Sequence, residues 1–257
     1  MTGQFEGKVG LITGAASGIG AALAQLAASE GVAGLALLDC NRDGLEAVAA
    51  DLRCPVVLAA LDVGSAEAWQ TFEQDIADRF GGLDFALANA GIGHAMAPIA
   101  ELDPDDWQRV ISVNLTGAFL TARTALRLMN DGGSIVLVAS SMAVKASPNT
   151  AGYGASKAAL LQLAKIAALE AAPRGIRVNA ISFGGVETPL FRGHDFFNAL
   201  IAQSGSERAA FDALADRTPL KRYASADEAA GLIAFLMSDV AAQVTGTNFI
   251  ADAGMTL

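Results

Sequence analysis

Lys8-Val-Gly-Leu-Ile-Thr-Gly-Ala-Ala-Ser-Gly-Ile-Gly20 is the stretch whose reading decides the fold. Residues 8–13 read as a first strand, and the three glycines after it run straight into an alanine-rich helical pattern over residues 21–30. Strand, glycine turn and helix in immediate succession is the context in which a glycine motif signals a dinucleotide site. Glycines allow a tight turn and let the backbone approach a pyrophosphate, while the helix N-terminus offers N–H groups and partial positive charge. The spacing is GxxxGxG rather than GxGxxG, so a glycine-rich turn with no ligand stays open on this motif alone.

Moving outward, a second apolar strand over residues 35–38 ends in Asp39, 19 positions after Gly20. That is close to the ~20 expected of an acid that accepts hydrogen bonds from an adenosine ribose. Such a carboxylate repels a 2′-phosphate and favours NAD over NADP; Arg42 is the neighbouring feature that points the other way. The bland reading of Asp39 is a strand-end helix cap. A third strand is read over residues 56–61, a helix over 65–79, and a fourth strand over 83–88 that ends in Asn89-Ala90-Gly91. Strands alternating with helices of this length indicate α/β architecture, a doubly wound parallel sheet with helices on both faces. Its ligands bind at the carboxyl ends of the strands. Gly14, Asp39, Asp62, Asn89 and Ser140 all fall at such ends.

One long helix is expected over residues 105–129, with Asn114 on its apolar face, serving either a polar relay or an interhelical hydrogen bond. After a strand at 135–139, a helix carrying Tyr153 and Lys157 runs to about residue 172, where Pro173 halts it. It is apolar nearly all round, so we expect it to pack on the sheet and on a second subunit. Beyond a strand at 177–182, residues 189–223 lose strand periodicity and hold Phe191, Phe196 and Phe197, as a lid or substrate loop would. A helix at 226–237 and a strand at 247–251 close a single domain of residues 1–257.

With 257 residues, 53% of them hydrophobic and 17% charged, the chain is long and apolar enough for a large core. A net charge of −10 argues against nucleic acid or an anionic membrane surface as a partner. No apolar run reaches membrane-spanning length and no secretory signal is read at the start, so the cytoplasm is the expected location. Cys40 and Cys54 lack a CxxC spacing, and His94 and His194 are isolated; we expect reduced thiols and no metal.

Tyr153 and Lys157 are four apart and share a helix face. A free phenol titrates near ~10, and an ammonium beside it favours the phenolate. Tyr153 is then expected to exchange a proton with an alcohol or carbonyl oxygen that the Ser140 hydroxyl holds in place.

Thr13–Gly20, Asn89-Ala90-Gly91, Asn114, Ser140, Tyr153-Gly-Ala-Ser-Lys157 and Val244-Thr245-Gly246, in this order, resemble the short-chain dehydrogenase/reductase family over nearly the whole chain. The resemblance implies a seven-stranded Rossmann-type sheet and an Asn114–Ser140–Tyr153–Lys157 tetrad. In it Tyr153 is the acid/base and Ser140 orients the substrate oxygen. Lys157 lowers the tyrosine and holds the nicotinamide ribose, and Asn114 maintains a water relay. It implies NAD contacts by Gly14, Ser17, Gly18, Ile19, Gly20, Asp39, Asp62, Val63, Asn89, Ala90, Gly91, Gly184, Val186 and Thr188. A homotetramer, a dimer of dimers, is the family's usual assembly. The expected substrate is a small to medium, apolar secondary alcohol or ketone, cyclic or aromatic, in a pocket of Met142, Phe183, Phe191, Phe196 and Phe197 beside Ser140 and Tyr153. Competing readings are an NADP-linked carbonyl reductase, a sugar-nucleotide epimerase or dehydratase, and a nucleotide-binding protein without catalysis. Three departures from the family's pattern stand out. Phe183-Gly184 replaces Pro-Gly and is expected to bring a ring near the nicotinamide. Ala88-Asn89-Ala90-Gly91 and Asp252-Ala253-Gly254 are read as mild changes.

Overall fold

The computed structural model describes residues 3–93 and 96–257. His94 therefore lies outside the described residues. Seven strands form one parallel sheet in the order β3-β2-β1-β4-β5-β6-β7. They are β1 (Val9–Thr13), β2 (Gly34–Asp39), β3 (Val56–Ala60), β4 (Leu83–Ala88), β5 (Met129–Val138), β6 (Arg177–Phe183) and β7 (Asn248–Ala251). The chain winds outward from β1 to β3, then restarts at β4 on β1's other side. A cleft opens at the carboxyl ends of β1 and β4 for that reason, since successive crossovers leave in opposite directions there.

Both faces of the sheet are buried, which is why the strands read as continuous apolar runs rather than alternating ones. One face packs Ile12, Leu35, Leu37, Leu87, Val136 and Ile181 against α1 (Gly18–Ser29) and α9 (Ala226–Met237). The opposite face packs Leu11, Ala36, Leu38, Ala86 and Leu137 against α3 (Ala68–Phe80), α5 (Gly117–Leu128) and α6 (Ala151–Ala171). Between β2 and β3 lies α2 (Arg42–Asp51), capped by Asn41, whose side chain accepts from the Gly44 N–H. Asp39 is therefore not the cap of that helix.

The helix read over 105–129 is present, with a turn of different pitch inside it, and the reading of 189–223 as a loop is corrected. The long helix read over 105–129 is α4 (Pro104–Ile111) and α5 joined by a π-helical stretch, Ser112–Thr116, with Asn114 at its middle. Residues 189–223, read as a loop without regular structure, contain α7 (Asp195–Ser204) and α8 (Glu207–Ala215). These helices enclose a separate small core of Phe197, Ala210 and Phe211, with Phe191 and Tyr223 against it. Among the described residues no helix is long and apolar enough to cross a membrane.

Candidate active site

Ser140 follows β5 in extended backbone, and its hydroxyl accepts from the Met142 N–H at 3.2 Å, shaping the short 3-10 turn Ser141–Ala143. Tyr153 enters in the first turn of α6 and Lys157 one turn later, so both face back onto the end of β5. The Lys157 ammonium donates to the Val138 carbonyl at 2.8 Å and stands 5.7 Å from the Tyr153 ring centroid. The Ser140 hydroxyl hydrogen-bonds the phenol.

The electrostatics differ from what the i, i+4 spacing predicts. Burial pushes the Tyr153 phenol above its ordinary value, and the Ser140 hydrogen bond only opposes that shift. Lys157 is itself pulled down by burial to about 8. Its ammonium lies over the ring rather than at the hydroxyl, and a desolvated lysine readily gives up its charge. Within this chain, the serine is what favours the phenolate.

Asn114 is fully buried. Its Oδ1 accepts from the Ile92 N–H at 2.8 Å, and its Nδ2 donates to the Ile92 carbonyl at 2.9 Å and to Ser156 Oγ at 3.2 Å. Ser156 in turn donates to the Tyr153 carbonyl at 2.8 Å. An unbroken set of hydrogen bonds thus links the loop after β4 to the helix that carries the phenol. The π turn provides the aim: one extra residue per turn rotates Asn114 out of the helical stripe toward that loop. Gly91 lies at the same point, where an added Cβ would be 3.4 Å from both Asn114 Oδ1 and Lys157 Nζ.

Around the glycine turn the sequence-predicted residues also converge. Gly14 has φ +66°, and a Cβ there would lie 2.7 Å from Asn89 Nδ2. A Cβ on Gly20 would collide with the Gly14 carbonyl. Ser17 is the extended N-cap of α1 and makes no side-chain cap, and the first helical turn, with Gly18, Ile19 and Gly20, holds no acid. The leading N–H groups of α1 are thereby left for an anion. Thr188 faces Gly18, its methyl 3.2 Å from where a Cβ would be. The Asp39 carboxylate accepts from the Ala16 N–H at 3.1 Å and the Asn41 N–H at 3.0 Å, fixing it at the end of β2. Asp62 is exposed after β3, where it accepts from the Gly64 N–H at 2.8 Å. The Val63 side chain is buried, and a Cβ on Gly117 of α5 would lie 2.6 Å from it. Gly184 and Val186 line the turn after β6, where Val186 bridges to Ala224.

Thr13 was quoted in the motif but given no role. Its hydroxyl donates to the Leu87 carbonyl at 3.2 Å and accepts from the Asn89 and Ala90 N–H groups at 3.1 and 3.3 Å. Asn89 Nδ2 completes the tie to the Thr13 and Gly14 carbonyls at 3.0 and 3.1 Å. Together they hold the mouth between β1 and β4 at fixed width. A hydroxyl on the last residue of a buried strand was the available signal.

The apolar pocket is the part that does not assemble as expected. Phe183 is 4% exposed and packs in the cluster beneath α1 and α9, because it shares a strand face with Ile181. Phe197 is fully buried in the lid's own core, and Phe191 stacks there, 5.4 Å from the Phe197 and Phe211 rings. Phe196 is exposed beside His194. Met142 lies on the turn after Ser140, where its N–H donates to the Ser140 hydroxyl, and its carbonyl oxygen would be 3.6 Å from a Cβ on Gly154, the neighbour of Tyr153.

The family described as enoyl-(acyl carrier protein) reductase matches residues 14–256. A D-threitol dehydrogenase of Mycolicibacterium smegmatis is 38% identical over 99% of this chain and 95% of its own length. A cis-4-hydroxycyclohexanecarboxylate dehydrogenase of Sinomonas cyclohexanicum is 38% identical over 98% of each chain. Among solved structures, levodione reductase superposes with a TM-score of 0.88 at 32% identity, covering 98% of both chains. The chain belongs to the short-chain dehydrogenase/reductase family. Members use nicotinamide cofactors; one solved relative, a 3-ketoacyl-(acyl-carrier-protein) reductase from Brucella melitensis complexed with NADH, has a TM-score of 0.87 at 29% identity over 98% of this chain and all of its own. The residues present suit such a group: a glycine cradle that admits no side chain, uncapped N–H groups on α1 and a carboxylate ending β2. The chain is a short-chain oxidoreductase.

Proposed function

We propose that this enzyme interconverts a secondary alcohol and a ketone with NAD(H). The observation that carries the reading is the meeting of Ser140, Tyr153, Lys157 and Gly91 at the carboxyl end of the sheet. The nicotinamide, when bound, accepts or supplies the hydride. Ser140 and Tyr153 hold the substrate oxygen between two hydroxyls, and Tyr153 takes the proton in oxidation or returns it in reduction. Lys157, anchored on Val138, stands beside the ring and reaches the ribose side of the cleft. Asn114 keeps the Gly91–Ile92 backbone in place.

Asp39 supports NAD over NADP, since its carboxylate is held toward the glycine turn by two backbone N–H groups. Arg42, the residue that favours the alternative, is exposed at the start of α2 and pairs with Glu46 at 3.7 Å. Two relatives, the cis-4-hydroxycyclohexanecarboxylate dehydrogenase and a 3β-hydroxysteroid dehydrogenase of Mediterraneibacter gnavus at 35% identity, bear names with a ring hydroxyl. A cyclic secondary alcohol is therefore the substrate class to try first. We place the enzyme in the cytoplasm as a homotetramer, with the exposed Ile166 and Leu169 of α6 and Phe119 of α5 as the apolar surface for assembly.

Measuring NADH and NADPH dissociation constants side by side tests the cofactor, and tighter NADPH binding would refute the role of Asp39. Screening cyclic and acyclic secondary alcohols with NAD, followed by the absorbance of the reduced cofactor, tests the reaction.

A further inference from the structure

The wall of the cleft beside the phenol, residues 141–145, packs on α6 and β6 and is also fastened at its outer end by the turn that follows β7. Lys145 Nζ donates to the Met255 carbonyl at 2.7 Å, and the Ser141 hydroxyl lies 3.5 Å from the Met255 sulfur. The same terminal turn meets the two other sides of the cleft. On the turn after β6, a Cβ on Gly184 would be 2.9 Å from Asp252 Cα. Where the lid returns to the sheet, the Leu220 N–H donates to the Ala253 carbonyl at 3.2 Å, and a Cβ on Gly254 would be 2.7 Å from the Pro219 ring.

The turn is itself tightly specified. Asp252 is 8% exposed, and its carboxylate accepts from the Gly254 N–H at 2.9 Å and the Thr256 N–H at 2.8 Å. Ala253 holds φ at +55°, a conformation that a residue with a side chain rarely keeps unless its surroundings dictate it. A segment that merely packs against the domain needs neither the buried carboxylate nor the strained backbone.

We infer that residues 252–257 set the position of the substrate wall, with Lys145 and Met255 as the positioning residues that transmit it. This rests on the alcohol/ketone reading above. Neither residue touches the reacting atoms; they fix how wide the cleft stands next to Tyr153, and through it which alcohols fit.

The test pairs Lys145→Met, which keeps the stem and removes the donor, with Lys145→Arg, which keeps a donor. Hydrogen exchange is followed at the amides of Ala143, Val144 and Lys145, which are bonded to the Ser140 and Ser141 carbonyls. In Lys145→Met it is expected to speed up about ten-fold, the weight of one hydrogen bond from a charged donor, with β5 and α6 unchanged. KM for cyclohexanol and 4-methylcyclohexanol is expected to rise by a similar factor, while kcat and the KM for NAD stay within about two-fold. Lys145→Arg is expected to restore both. Unchanged exchange in Lys145→Met, failure of arginine to rescue, or faster exchange with unaltered KM would each overturn the inference. If the unmodified enzyme oxidises no alcohol, the functional reading fails on its own, and unchanged exchange would still refute the latch.

Discussion

The mouth of the sheet and the lid over it are built in opposite ways. At the mouth three of the groups are fixed by the backbone of another element: Lys157 by Val138, Asn114 by Ile92, and Thr13 by Leu87 and Asn89. The lid has a core of its own, Phe197 with Phe211 and Phe191, and its outer surface is stitched by exposed pairs such as Arg192–Glu207 at 3.0 Å and Arg208–Asp212 at 2.9 Å. Exposed pairs of that kind are weak and screened by salt. Reacting groups thus sit where local opening requires breaking the main core, whereas access is governed by a segment able to open as a unit.

Breaking the mouth should abolish chemistry without touching binding. Tyr153→Phe is expected to lower kcat by about 10²–10⁴-fold, the usual weight of a positioned acid/base, with NAD affinity and melting temperature nearly unchanged. A variant with near-normal turnover would contradict the mechanism. Breaking the lid should do the reverse. Phe197→Ala empties a fully buried aromatic position, a change of about 3–5 kcal/mol where it is felt. If the lid is the semi-independent unit described, the loss falls on lid closure. Substrate KM would rise and hydrogen exchange over residues 195–215 would quicken, while the strands keep their protection. Loss of protection across β1, β4 and β5 together would show that lid and sheet unfold as one.

Asn114→Ala is expected to be intermediate. It leaves the part-buried Ile92 N–H and carbonyl without their partner, at about 1 kcal/mol. Thermal denaturation should show a modest loss of stability, and kcat should fall with it, because the Gly91 backbone beside Lys157 is no longer held.

Lys157 separates mouth from lid by pH. Its folded value of about 8 is below the ordinary 10.5, so between those values the unfolded chain carries a proton that the folded chain does not. Stability must then rise with pH across that window, and the cost of burying the charge is fully present below it. Comparing urea unfolding of the enzyme and Lys157→Met from pH 7 to 10 should show the gap shift in favour of the lysine enzyme as pH increases. A pH-independent gap would mean that the amine is not desolvated.

Much of this was legible in the chain and some was not, for identifiable reasons. The glycine turn and the Tyr153–Lys157 helix were readable because short-range spacing fixes their geometry, and Asp39 because it ends the strand that follows the turn. The π turn at Asn114 was not, since one added residue barely disturbs an apolar pattern around 3.6 residues per turn. The burial of Phe183 was not legible, because its expected place came from the family's Pro-Gly position, and a resemblance does not say which core a substituted ring joins. The lid helices escaped notice because their apolar residues face each other rather than the main core. The upward shift of the phenol depends on burial, which no i, i+4 rule contains.

Ala253 tests the seam between the two regions, and here the expected effect is smallest. The family pattern has glycine where this chain has alanine, a change that looks mild on paper. Yet φ is +55°, where a Cβ crowds the following carbonyl at a cost of about 1–2 kcal/mol. Ala253→Gly removes that crowding, but it also frees the unfolded chain, which offsets about 0.4–1 kcal/mol of the gain. The balance is a stabilisation of roughly 0.5–1 kcal/mol, or about 1–4 °C in melting temperature for a domain of this size. The sign carries the information. A higher melting temperature with faster exchange at residues 143–145 would mean that the strain at Ala253 helps hold the substrate wall, whereas destabilisation would mean that the alanine methyl makes a contact worth more than the strain it causes.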